Sequence, residues 1–186
     1  SRVSYTGDLG FEIYTDAASQ RALWHALWAQ GKPHGMRPFG MRAMMSLRLD
    51  KFFGSWLNEY SPDYTAGETG MDRFILFGKK SNFIGRQAAE AQRAKGARRK
   101  PVVFEVDALD ADVIAYEPVW INGAVRGFCT SGGYSHYAQK SIAMALVDAE
   151  HVNEDLEVEI EILGELRSAR RITVPPFDPD GQRMRE

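Results

Sequence analysis

The chain is poor in cysteine: Cys129 is the only one in 186 residues, so no disulfide can form within it. It stands in Gly127-Phe128-Cys129-Thr130, an apolar stretch with Arg126 as its nearest basic neighbour, and reads as a buried, inert thiol. A single cysteine and no leader-like apolar segment fit a reducing, cytoplasmic compartment. No run approaches the roughly 18 apolar residues of a membrane helix, so no membrane partner is expected. Neither sign of charge dominates. The 23 Lys and Arg against 25 Asp and Glu leave a net charge of −2, which gives no electrostatic case for a nucleic-acid partner. His25, His34, His136 and His151 are scattered, no spacing suits a metal, and there is no phosphate-binding Gly loop or nucleophilic triad. No catalytic residue and no metal ligand is therefore assigned.

With 44% hydrophobic and 26% charged residues, what remains is ordinary globular material for one large or two small domains. The front is helical. Asp16 is placed to cap a helix through Ala29, on which Leu23, Trp24, Leu27 and Trp28 form one apolar stripe expected in the core, with Gly31 as the stop. A second helix is expected from Gly40 to Phe52, with Met41, Met45 and Leu49 stacked and Arg48 on its flank as one half of an ion pair. A strand around Arg73 to Phe77 and a third helix from Gly85 to Lys95, closed by Gly96, follow.

Ala97-Arg98-Arg99-Lys100-Pro101 reads as a solvated linker that divides an α+β domain, 1–96, from a strand-rich one, 97–186. Six strands are expected behind it: Val102 to Val106, Val119 to Ile121, Ala124 to Phe128, Ile142 to Val147, Leu156 to Ile162 and Ala169 to Val174. Asn122-Gly123 is the strongest hairpin turn in the sequence. Leu156 to Ile162 alternates strictly, so its glutamates form a solvated face and not an acid/base pair. The class is α+β, with a small antiparallel β-barrel or jelly roll at the back.

The most informative stretch is Tyr5-Thr6-Gly7-Asp8-Leu9-Gly10-Phe11-Glu12-Ile13-Tyr14. Gly7, Asp8 and Gly10 are turn chemistry, and from Gly10 the side chains alternate as in a strand, with Glu12 and Tyr14 on one face. A carboxylate between aromatic rings matches a fused heteroaromatic with an N–C(NH2)–N edge, such as a pterin. A glutamate on the polar side of a half-buried strand is otherwise simply solvated.

This stretch resembles the folate-binding signature of the aminomethyltransferase family, the glycine-cleavage T-proteins and their relatives. Four further stretches resemble later signatures of that family in order: Gly40 to Lys51, Glu68-Thr69-Gly70-Met71, Asn82-Phe83-Ile84-Gly85-Arg86, and Thr130-Ser131-Gly132-Gly133-Tyr134-Ser135 with Lys140-Ser141-Ile142-Ala143. Within the family the chain most resembles the C-terminal folate-binding part of the dimethylglycine and sarcosine dehydrogenases. Met44, Lys51-Phe52-Phe53, Trp56 and Glu59 carry that likeness. At Met44 the T-proteins generally have an arginine associated with substrate.

The resemblance implies the C-terminal portion of a T-protein-like folate-binding fold followed by the barrel. It implies tetrahydrofolate as cofactor, held by Tyr5, Glu12, the backbone at Ile13, and Tyr14. Arg73 stands where these dehydrogenases tend to place a folate-contacting tyrosine, and could stack on the pterin or pair with the glutamate tail. An N-methylated amino acid is the implied substrate, and FAD would sit on an upstream domain that this chain does not contain. The family's assisting carboxylate lies upstream of the Tyr-Thr-Gly signature, so the chain reads as a fragment expected to transfer no one-carbon unit alone. Its first strand would be an exposed edge that favours a homo-oligomer. A stand-alone aminomethyltransferase or related demethylase, and a non-catalytic interaction module, are the alternatives.

Overall fold

The computed structural model describes residues 1–152 and 156–185. Its back half is a closed antiparallel barrel of six strands: β1 (Arg99–Val106), β2 (Pro118–Ile121), β3 (Ala124–Ser135), β4 (Lys140–Asp148), β5 (Val158–Ile162) and β6 (Glu165–Ile172). They run around the barrel in the order β1-β4-β3-β2-β5-β6, and β6 pairs with β1 to close it. All six fall at the expected runs, with shifted ends. The Asn122-Gly123 turn joins β2 to β3 with φ of 50° and 74°, the left-handed pair that a two-residue hairpin requires.

Inward-facing residues fill the barrel. Val102, Phe104, Val119, Ile121, Cys129, Ala143, Ala145, Val147, Ile160 and Ile162 form one buried cluster. Outside the wall, Leu49, Val103, Ile142 and Met144 form a second cluster, joined by Phe52 and Ile172. That smaller cluster seats the front half on the barrel, because Leu49 ends helix α2 (Met41–Leu49) and α2 lies on β3 and β4.

The front departs from the sequence-based expectations at several points. Residues 10–15 form no strand. Among the described residues their backbone pairs only once, with Ser1 and Glu12 exchanging two bonds of 2.9 Å, so there is no ladder to hold an extended segment. Phe11 is accordingly 66% exposed. No strand forms at Arg73 to Phe77 either. Met71 and Asp72 both donate to the Ala66 carbonyl, and the Ile75 N–H donates to the Asp72 carbonyl at 3.0 Å, the three-residue bond that makes Met71–Phe74 a 3-10 turn.

Helix α1 (Gln20–Gly31) begins three residues late, with Ser19 and not Asp16 at its cap position, because the Asp16 carboxylate accepts from the Ser19 N–H at 2.9 Å and makes a turn of its own first. Its tryptophans are not core. Trp24 is 49% exposed and stacks on Trp28 at 6.0 Å between ring centroids. Helix α2 stops at Leu49, three residues short of Phe52, where turn bonds to Arg48 and Leu49 take over. Helix α3 (Arg86–Lys95) matches its expected span, ended by Gly96. The expected linker is partly strand, since Arg99 to Pro101 already pair with β4.

The accessible surface is 12659 Å². A compact monomer of 20.9 kDa exposes roughly 9,000 Å². The excess lies in the front half, where neither α1 nor α3 contains a buried residue.

Candidate functional site

The turn that carries the first signature is tied down from three sides. Ser4 Oγ accepts from the Gly7 N–H at 3.1 Å, Arg183 reaches Asp8 at 3.1 Å, and the buried Lys51 side chain passes under Gly7. Gly7 has φ +90°, and a Cβ there would lie 2.5 Å from Lys51 Cγ, so both backbone and space call for glycine. Lys51 is held in turn by the Asp178 carbonyl and by its carboxylate at 3.2 Å.

Tyr5 leaves this turn half-buried and donates its hydroxyl to the Gly54 carbonyl at 3.2 Å. Burial pushes its phenol up, Arg48 opposes that, and Glu59 and Tyr60 add to it. The ring lines a hollow of about 520 Å³ together with Met45, Trp56, Leu57 and Tyr60. Small-molecule sites span roughly 300–1,000 Å³, so the hollow is of ligand size.

Glu12 and Tyr14 form a second feature. The Tyr14 hydroxyl donates to Glu12 Oε2, which raises the phenol, so the two side chains do share one side. Neither they nor Ile13 line the hollow at Tyr5, and Tyr14 is 77% exposed. Arg73 lies elsewhere again. Its guanidinium sits 4.9 Å from the Phe74 ring centroid, and it lines a cavity of about 190 Å³ with Phe52, Glu59, Tyr60, Thr69 and Met144. Tyr60 is the wall common to both cavities.

Under this wall lies an ion pair whose second partner the sequence did not disclose. Arg48 Nη1 reaches Glu59 Oε2 at 3.2 Å and donates to the Phe53 carbonyl at 3.0 Å. Glu59 also accepts from the Ser55 N–H at 2.6 Å and from the Ser131 hydroxyl. Burial pushes the Glu59 carboxyl up, but the Ser131 and Ser55 donors and Arg48 outweigh it and hold it below the usual carboxylate range. The network fixes the 53–60 loop that carries Trp56 and Tyr60. Those two aromatics line the hollow and were not among the expected folate contacts; their place in a loop bounded by Gly54 and Pro62 was the available signal.

Cys129 is fully buried, and burial, with Glu117 nearby, pushes its thiol up to about 12. Among the described residues no three His, Cys, Asp or Glu converge on a metal position, and no helix is long and apolar enough to cross a membrane.

Two family models match the chain: the GCVT N-terminal domain over residues 1–79 and the glycine cleavage T-protein C-terminal barrel domain over residues 99–178. Human mitochondrial dimethylglycine dehydrogenase is 39% identical over 163 residues, 88% of this chain and 19% of that protein. The aminomethyltransferase of Moorella thermoacetica is 36% identical over 176 residues, 94% of this chain and 47% of that protein. The crystal structure of glycine cleavage system aminomethyltransferase T from Bartonella henselae superposes with a TM-score of 0.85 at 26% identity, covering 96% of this chain and 49% of that one. The chain thus spans about half the length of these aminomethyltransferases and about a fifth of the dehydrogenase.

Proposed function

We infer the role of this chain from a fixed starting point: it belongs to the glycine-cleavage T-protein family. We propose that it is the C-terminal folate-binding, aminomethyltransferase-like module of a protein resembling dimethylglycine or sarcosine dehydrogenase. There it would assist transfer of a one-carbon unit from an oxidised N-methyl amine to tetrahydrofolate. The likeness to the human dehydrogenase over 88% of the chain supports this, as does Met44.

The residues fit such a ligand in their chemistry. Glu12 offers a carboxylate whose Oε1 takes no hydrogen bond among the described residues, Tyr14 sits on the other oxygen, and Tyr5 borders an apolar hollow of the right size. The free carboxylate oxygen beside an aromatic ring is the observation that carries the folate reading. Tetrahydrofolate, when bound, supplies the amines that accept the one-carbon unit. Glu12 would anchor the pterin, Tyr5 and Tyr14 would pack on it or hydrogen-bond to it, and the Ile13 backbone would line the pocket. Arg73, in a separate cavity, would pair with the glutamate tail and not stack on the ring. The tasks left to the protein are to align the two reactants and to keep water from the oxidised amine.

In the same reading, residues 1–96 are a partial folate-binding α+β domain and 97–186 the barrel domain. The exposed front, including Trp56 and Phe11, is where further domains of a relative-length polypeptide would pack, among them one binding FAD. A cytoplasmic location goes with the single buried thiol. A stand-alone aminomethyltransferase is the second reading, favoured by likeness to the Moorella enzyme over 94% of the chain.

Calorimetric titration of the full-length protein with tetrahydrofolate tests the site. Losing charge-assisted bonds of about 1.5–3 kcal/mol, Glu12→Ala should bind roughly ten- to a hundredfold more weakly. Equal affinity of Glu12→Ala and the unaltered protein would remove Glu12 from the site. A Gly-x-Gly-x-x-Gly segment after a strand elsewhere in the protein would decide against the second reading.

A further inference from the structure

The net charge of −2 conceals a steep segregation. Residues 79–100 carry eight Lys or Arg against one Glu, a net +7, and residues 101–165 carry two against thirteen Asp or Glu, a net −11. The two blocks scarcely neutralise one another. Among the described residues the only ion pair between them is Arg99 with Asp148, at 3.5 Å. Arg86 pairs within its own block, with Glu90 at 2.8 Å. Lys79, Lys80, Arg93, Lys95, Arg98 and Lys100 are in no ion pair among the described residues, although Arg98 and Arg99 lie close enough to Glu68 to lower its carboxyl.

The basic block is built on a helix that buries nothing of its own, which is the mark of a helix that bridges to something else. Just before it in the chain, Ile84 is fully exposed and Leu76 and Phe74 are largely so. Apolar anchors ringed by cations are the makeup of a protein interface, and a nucleic-acid surface would not need them. The complementary surface is on the chain itself. On β5 and just before it, Glu157, Glu159 and Glu161 are in no ion pair among the described residues, and Leu163, 85% exposed, stands at the turn to β6.

We propose that the α3 surface of one copy docks on the acidic β5 face of a second copy. Because the two patches differ, the contact is heterologous, and each copy keeps one patch open for the next. Opposite fields several kT deep steer the encounter, and the exposed leucine and isoleucine give it a desolvated centre.

Sedimentation of the full chain at about 50 mM and about 500 mM salt reads this directly, since the Debye length shortens severalfold across that range. Species heavier than the monomer are expected at low salt and monomer at high salt. The triple variant Lys79→Glu, Lys80→Glu, Lys95→Glu should be monomeric at low salt, as should Glu157→Lys with Glu159→Lys. Mixing the two variants should restore association, because the reversed patches complement each other, and that restoration also shows that both variants are folded. A monomer at low salt would mean that these surfaces read some other partner and overturns the proposal. Association that persists at high salt, or variants that fail to associate when mixed, does so too.

Discussion

Arg48 and Glu59 meet at 3.2 Å with both side chains almost wholly removed from solvent. Eleven residues apart, they join the end of α2 to the loop that carries Trp56 and Tyr60, and through Ser131 they reach β3. Removing one partner strands a buried charge, which costs more than the pair itself contributes. Arg48→Ala should therefore lose about 3–5 kcal/mol of stability in urea. Arg48→Met combined with Glu59→Leu should lose much less. Equal losses would mean that packing, not charge, is the dominant effect.

The same loop sets a pH dependence. Glu59 is held below the ordinary carboxylate range, so its contribution is present above its unfolded pKa and is lost as the pH falls through the folded value. Asp50 runs the other way. Its carboxyl is buried, Oδ1 has no partner, and burial pushes the pKa up against a hydrogen bond from Ser135 and the influence of His136. That group favours folding only while protonated, and its cost grows as the pH rises through its folded pKa. Asp50→Asn should raise the urea midpoint at pH 7, with the gain shrinking as the pH falls through the raised folded pKa and gone below the ordinary carboxylate range. A gain independent of pH would contradict this.

Gly7→Ala places a Cβ against a buried lysine stem in a backbone region that alanine avoids. A loss of about 1–3 kcal/mol is expected. Because Lys51 must move, the 178–185 segment should become cleavable at protease concentrations that leave the parent intact. Unchanged cleavage would show that Lys51 yields without letting go of Asp178.

Cys129, with its thiol at about 12 and no exposure, should not react with aromatic disulfide reagents at pH 7 until the barrel opens. Its labelling rate then reports barrel opening. Rapid labelling of the folded protein would contradict the burial.

The barrel was largely legible because its signals are local. Asn122-Gly123 needs no distant partner to turn, and the alternation of Val158, Ile160 and Ile162 follows from the two-residue period of a strand. Cys129 was legible from its apolar neighbours. The front was not, because its elements depend on what covers them. Phe11 and Ile13 carry a strand pattern but find no ladder, and Trp24 and Trp28 carry a helical stripe that meets only itself. Arg48 announced an ion pair, yet nothing local pointed to Glu59 in a loop eleven residues on. Glu12 and Tyr14 kept the common side that their spacing gave them, while Tyr5 turned to a hollow of its own.

The segment after β6 doubles back to the beginning: Arg183 meets Asp8 across 175 positions, and Arg2 donates to the carbonyls of Met184 and Arg185. On a ribosome adding about 5–20 residues per second, Asp8 waits on the order of ten to thirty seconds for that arginine to be made. The Tyr5–Tyr14 stretch thus finds its full seat only after the rest of this sequence has been made, and that interval is when its turn lies open to a chaperone.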